Sequence, residues 1–271
     1  MNTSTLIAFI GGGNMATAII GGLLRQGRAP DSILVVDPSE AQRERLAAQG
    51  LRTQAAPDVT LADASLVVWA VKPQQFKEAA QSCAAHTAGA LHYSVMAGLR
   101  TDDMARWLGT PRIVRAMPNT PALVGQGMTG LFARAEVSPG ERAEIEALVA
   151  PTGQSLWVEA EPQLDAVTAL SGSGPAYVFY FIEAMMQAAS DMGLSPAQGR
   201  TLALATFGGA TALASQSEDS PATLREKVTS KGGTTYAALS HMEAAGVKAA
   251  FVQAMRAAEH RAGELGDEFG R

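Results

Sequence analysis

The stretch Ile7-Ala-Phe-Ile-Gly-Gly-Gly-Asn-Met-Ala16 limits the fold more than any other part of the chain. Leu6 to Ile10 is a short apolar run of the kind that forms a buried strand. Apolar residues at helical spacing (Ala16, Ile19, Ile20, Leu23, Leu24) follow directly. Between them Gly11, Gly13 and Ala16 fit the pattern G-x-G-x-x-[GA]. Gly11 permits a tight strand-to-helix turn, Gly13 lets backbone touch a pyrophosphate, and Ala16 lets the helix press on the strand. The first N–H groups of such a helix lack internal partners and sit at its positive end, where a phosphate can bind. Glycine turns are common, so the context carries weight. A second strand, Ile33 to Val36, ends at Asp37, whose carboxylate can hold two ribose hydroxyls. The stretch therefore reads as a dinucleotide site rather than a plain glycine turn.

The first half goes on alternating. Helices are expected at Asn14–Gln26, Ser39–Gln49, Pro73–Ala85 and Thr101–Leu108, with strands near Leu51–Thr53, Leu66–Val71, Leu91–Val95 and Arg112–Ala116. This order implies a mainly parallel sheet with helices on both faces, whose ligands lie at the carboxyl ends of the strands. The loops Gly11–Met15, Asp37, Ala70–Pro73, Met96–Gly98 and Met117–Pro121 occupy such ends. Gly127–Ala133 and Ser155–Val158 could be further strands, with helix Pro139–Ala150 between them. From about Pro162 the chain reads as helices only: Leu164–Leu170, Pro175–Met192, Pro196–Ser217, Ala222–Thr229, Thr234–Ala245 and Lys248–Leu265. Two domains are expected, residues 1–161 (α/β) and residues 162–271 (all-α).

Composition excludes several classes. The 271 residues are 47% hydrophobic and 17% charged, which suits a packed globular protein, and the net charge of −5 with no basic block argues against nucleic acid. The single cysteine, Cys83, fits a reducing compartment and leaves no CxxC metal site. His86, His92, His241 and His260 are scattered without ligand spacing, so no metal is expected. No leader peptide and no membrane span are read in the sequence, and a cytoplasmic location is expected. One helix is unusual: Thr201 to Ala214 carries no charge on any face. Such a helix must be covered all round, by a second subunit or within its own domain; the second subunit is the favoured reading.

The helical half holds two glycine-rich stretches. In Val228-Thr-Ser-Lys-Gly-Gly-Thr-Thr-Tyr236, Gly232 and Gly233 free the backbone, and Thr234 or Thr235 can cap a helix whose N–H groups would face a carboxylate. Taken alone, an ordinary glycine turn with a threonine cap is the favoured reading. In Leu170-Ser-Gly-Ser-Gly-Pro-Ala-Tyr177, Ser171 or Ser173 would cap a helix beginning with Pro175. Neither a P-loop nor a Gly-x-Ser-x-Gly elbow is present. A redox cofactor supplying the chemistry, with a second domain supplying the substrate pocket, remains.

Together Phe9-Ile-Gly-Gly-Gly-Asn-Met15, Ala70-Val-Lys-Pro73, Arg115-Ala-Met-Pro-Asn-Thr-Pro-Ala122, Leu170–Tyr177 and Ser230-Lys-Gly-Gly-Thr-Thr235 resemble, in order and spacing, the pyrroline-5-carboxylate reductase family. The resemblance implies a Rossmann domain followed by a helical dimerisation domain, in a homodimer or larger homo-oligomer. It also implies an active site built from the cofactor domain of one subunit and helices of both. The implied reaction is hydride transfer from NADPH or NADH to the C=N carbon of 1-pyrroline-5-carboxylate, giving L-proline. The implied cofactor contacts are Ile10, Gly11, Gly12, Gly13, Asn14, Met15, Asp37, Ala70, Val71, Lys72, Pro73, Ala97 and Asn119, those of Ala70–Pro73 through backbone. The implied substrate contacts are the backbone of Gly232, Gly233 and Thr234 on the carboxylate, Thr235 near the ring nitrogen as the catalytic group, and Glu218 and Ser171. Two departures stand out. Lys231 replaces the usual proline of the family and is expected to face solvent. Asp37 should repel a 2′-phosphate, whereas Ser39, Arg43 and Arg45 point the other way, so both cofactors are expected to work. The weighed alternatives are a β-hydroxyacid-dehydrogenase-like oxidoreductase, which would need a lysine on the Pro175–Met192 helix, and a non-catalytic nucleotide-binding regulator.

Overall fold

The computed structural model describes residues 5–270. The leader reading of the sequence therefore rests partly on residues outside that range. By packing density the chain divides into two compact units. The first holds residues through Ser173 together with those from Ala258 onward, and the second is Gly174–Ala257.

The first unit is built on strand β1 (Leu6–Ile10), whose five residues are all buried. Ile7 and Phe9 face one apolar cluster, and Leu6, Ala8 and Ile10 face the other, so the strand is covered on both sides. That is why it reads as a continuous apolar run instead of an alternating one. It pairs in parallel with β2 (Ile33–Val36) on one side and β4 (Ala64–Trp69) on the other. The full order is β3-β2-β1-β4-β5-β6-β7-β8, with β3 (Arg52–Gln54), β5 (Leu91–Ser94), β6 (Ile113–Met117), β7 (Gly127–Ala133) and β8 (Gly153–Trp157). Among the described residues only the β6–β7 pairing is antiparallel. Strand order reverses at β1, which opens a crevice at the carboxyl ends of β1 and β4.

Helices α1 (Asn14–Arg25) and α5 (Pro139–Val149) contribute Ile19, Ile20, Ile145 and Leu148 to one core. Helices α3 (Phe76–Thr87) and α4 (Thr101–Leu108) contribute Phe76, Ala80, Met104 and Leu108 to the other. Between β2 and β3 lies α2 (Glu40–Ala47), capped by the Ser39 hydroxyl. A short 3-10 turn, Val59–Asp63, precedes β4; no apolar period announces it.

The region beyond β8 starts with α6 (Gln163–Val167), a π-helical turn (Thr168–Gly172), and then α7 (Gly174–Asp191). The sequence boundary near Pro162 follows the change from mixed to helical structure. Packing divides the chain twelve or so residues later, because Leu164 is fully buried and Val167 fills the space over Gly130 of β7. The second unit contains α7, α8 (Pro196–Gln216), α9 (Pro221–Lys227), α10 (Thr234–Ala244) and the first half of α11 (Val247–Phe269). Phe181 and Phe251 meet edge to face with centroids 5.5 Å apart, and Gly199 lets α8 lie close against Ala189 of α7. The end of α11 belongs to the first unit, where Leu265 and Phe269 lie over Gly98 and Asp267 pairs with Arg100 at 2.8 Å.

The uncharged helix departs from the within-domain alternative. In the single chain Leu202, Leu204 and Leu213 of α8 are 53%, 41% and 57% exposed. Its own domain therefore does not bury it. Two caps also differ from expectation. Gly233, not a threonine, is the N-cap of α10, and no side chain bonds there. Neither Ser171 nor Ser173 caps α7: the chain runs into it from the π-helical turn, with Ser173 still in helical conformation.

Candidate active site

The β1–α1 loop lies in the crevice at the switch point. Gly11 adopts φ +95°, and its N–H donates to the Val36 carbonyl at 2.9 Å. A Cβ at Gly11 would come within 2.7 Å of the Ala70 carbonyl oxygen. Gly12 is close-packed too, against Leu46 and Gln42 of α2. The Gln42 side-chain amide donates to the Gly12 carbonyl, a link between loop and helix that nothing in the sequence signals. Gly13 differs from both: a Cβ there would meet nothing within 4 Å. It is the N-cap of α1, with no side-chain cap and no acid in the first turn. The orphan N–H groups of α1 thus open onto free space at its positive end, which fits a pyrophosphate.

Asp37 ends β2 beside this loop. Its Oδ2 accepts the Gly12 N–H at 2.7 Å and its Oδ1 the Ser39 N–H at 2.8 Å. Arg43 donates through Nη1 to the carbonyls of Asp37 and Pro38, at 2.9 and 2.8 Å. Arg45 donates to the Thr17 hydroxyl at 3.0 Å. The carboxylate and Arg43 therefore meet at the β2–α2 turn, while Arg45, in the last turn of α2, reaches α1.

Ile10, Asn14 and Met15 flank the loop in sequence. Ala70 follows β4 and donates its N–H to the Ile10 carbonyl at 2.8 Å. Val71, Lys72 and Pro73 continue outward; Lys72 is exposed, and among the described residues its side chain makes no hydrogen bond or ion pair. Ala97, half-buried, follows β5 just before Gly98. Under this rim, Trp69 Nε1 donates to His92 Nδ1 at 3.0 Å, and burial holds the imidazole neutral, with its pKa down to about 4.

Asn119, after β6, is brought together with Ser171 across 52 positions of sequence. Its Nδ2 donates to the Ser171 carbonyl at 3.1 Å and hydroxyl at 3.3 Å, while Oδ1 accepts the Met128 N–H at 2.9 Å.

In the second unit, Gly232 adopts φ +76° and leads to Gly233 and the uncapped start of α10. Thr234 and Thr235 occupy its first turn, with no acid beside them. A Cβ on Gly233 would crowd Ser230 Oγ at 2.6 Å, so the turn packs closely there. Lys231 is exposed. Glu218 is exposed between α8 and α9 in the same unit, and no partner takes its carboxylate among the described residues. Among those residues no group of His, Cys, Asp or Glu could hold a metal ion, and no helix is long and apolar enough to cross a membrane.

A doubly wound sheet with an open, uncapped glycine turn at its switch point defines a dinucleotide-binding protein of the Rossmann class. Comparison with known proteins narrows the class. Residues 6–98 match the family described as NADP oxidoreductase, coenzyme F420-dependent, and residues 161–265 match pyrroline-5-carboxylate reductase dimerisation. The pyrroline-5-carboxylate reductase of Pseudomonas aeruginosa is 43% identical over 98% of both chains. That of Haemophilus influenzae is 41% identical over 96% of this chain and 97% of its own. The structure of a pyrroline-5-carboxylate reductase from Coxiella burnetii superposes with a TM-score of 0.90 at 38% identity, covering 97% of this chain and 99% of that one. The Plasmodium falciparum enzyme, solved with NADP bound, superposes with a TM-score of 0.87 at 25% identity, over 97% of this chain and 99% of that one. The chain belongs to the pyrroline-5-carboxylate reductase family.

Proposed function

We propose that the protein reduces the C=N bond of 1-pyrroline-5-carboxylate to give L-proline, using NADPH or NADH. The observation that carries this reading is the 43% identity to a pyrroline-5-carboxylate reductase along 98% of both chains. The β-hydroxyacid-dehydrogenase alternative would need a lysine on the first long helix of the second unit, and α7 has none.

The residues divide the work. The open backbone of Gly11–Met15 takes the pyrophosphate, as an uncapped helix start does elsewhere. Ile10, Ala70, Val71, Lys72, Pro73 and Ala97 line the cofactor through main chain, and Asp37 accepts from the adenosine ribose. When bound, the dinucleotide supplies the hydride. The amides of Gly232, Gly233 and Thr234, at the positive end of α10, take the substrate carboxylate. Thr235 places its hydroxyl at the ring nitrogen, which carries a proton before the carbon is reduced and becomes a secondary amine after. Glu218 and Ser171 complete the polar lining. The exposed apolar α8 is covered by a second copy of the chain, so the protein works as a homodimer or larger homo-oligomer, in the cytoplasm.

The test is to follow NADPH absorbance at fixed protein with 1-pyrroline-5-carboxylate, then to repeat it with NADH. Substrate-dependent loss of absorbance with L-proline as the product is the expected result. No oxidation of either cofactor sinks the proposal.

A further inference from the structure

The turn after β6 holds the π-helical segment from two sides. The end of the Met117 side chain packs against Gly172, in the space a Cβ there would take. Asn119 donates to both the carbonyl and the hydroxyl of Ser171, with its own oxygen tied to the Met128 N–H. A π-turn leaves carbonyls without the regular partner four residues on, and such turns gather at functional sites. The Ser171 carbonyl has no N–H donor four residues on, because residue 175 is proline, and Asn119 takes it instead. Because Ser171 Oγ accepts from the amide, its own proton is left to point elsewhere, and among the described residues no acceptor takes it. Both ends of the Asn119 amide thus hold protein partners, whereas Ser171 has one donor to offer.

We infer that Asn119 is a positioning residue: it aims the Ser171 hydroxyl as a hydrogen-bond donor to an acceptor atom of the bound substrate. This rests on the reductase reading and assigns Asn119 away from direct cofactor contact. The substitution Asn119→Asp keeps an acceptor for Met128 and removes the donor to Ser171. With 1-pyrroline-5-carboxylate, kcat/KM should fall about tenfold to a hundredfold, the range expected when a reacting group loses its placement. Ser171→Ala should cost about as much, and the double variant no more than the worse single, since coupled residues are not additive. KM for the dinucleotide should stay within about twofold, a split that a merely structural role would not produce.

Two losses that multiply in the double variant would overturn the inference while leaving the reductase reading in place. So would an unchanged kcat/KM in Ser171→Ala, whether or not the Asn119 variant folds. A wild-type protein without activity would overturn both.

Discussion

Gly12 donates its backbone N–H to the Asp37 carboxylate at 2.7 Å, which ties the first strand-to-helix loop to the end of the second strand. The carboxylate is therefore a brace for the loop as well as the proposed ribose ligand. Each of its oxygens already holds one backbone donor, and the spare lone pairs can face two hydroxyls.

For Asp37→Ser, the kcat/KM ratio of NADPH to NADH should rise about tenfold or more, ~1.4 kcal/mol, as a negative charge beside the 2′-phosphate is removed. Losing the brace should also lower stability by about 1 kcal/mol, the usual cost of one hydrogen bond. In the wild type, a preference for NADPH above about a hundredfold, ~3 kcal/mol, would show that Arg43 and Arg45 override the carboxylate. Steady-state kinetics with both cofactors measures each ratio.

Gly13→Ala separates folding from binding. A Cβ at Gly13 meets nothing and φ of −66° suits alanine, so the fold should lose no more than about 1 kcal/mol, the N-cap preference for glycine over alanine. Dinucleotide affinity should nonetheless drop about tenfold or more, because the methyl group occupies the approach to the pyrophosphate. Gly11→Ala, strained at φ +95° and driven against Ala70, should instead destabilise the protein by about 1–2 kcal/mol. Fluorescence titration with NADPH beside thermal unfolding distinguishes the two; equal behaviour of the variants would contradict the geometry.

Thr235→Ala should cut kcat by about a hundredfold, in the range of a lost acid–base or orienting group, with Tm unchanged. The side chain caps nothing, so no stability depends on it. Thr235→Ser should recover much of the rate. Unchanged turnover in the alanine variant would remove Thr235 from the mechanism.

His92 predicts a pH dependence of stability. Burial, foremost, lowers its pKa from 6.5 to about 4 in the folded protein. Between those values the unfolded chain binds a proton that the folded chain refuses. The corresponding stability is present above pH 6.5 and lost as pH falls towards 4, by about 3 kcal/mol at the limit. His92→Gln keeps an acceptor for Trp69 and does not titrate. Urea unfolding at pH 7 and pH 4.5 should show a smaller loss for the variant; parallel losses would count against the assignment.

Much of this was legible in the sequence for physical reasons. β1 and β4 are covered on both faces, so they stand out as apolar runs, and Gly11 and Asp37 carry chemistry at fixed positions after their strands. Other features depend on contacts that no local pattern encodes. Asn119 reads as a cofactor contact by resemblance, and its bond to Ser171 appears only once the fold sets the two side by side. The π-helical turn has the same apolar spacing as an α-helix, so Ser171 and Ser173 looked like caps. The threonines after Gly233 looked like caps as well, but the extended backbone of Gly233 already starts the helix. Gln42 gave no sign of its grip on Gly12.

The bare leucines of α8 carry a consequence for handling the protein. With that surface given over to a second copy, as proposed, folding and association form one equilibrium. The melting temperature should then climb with protein concentration, and dilution alone should suffice to weaken the fold.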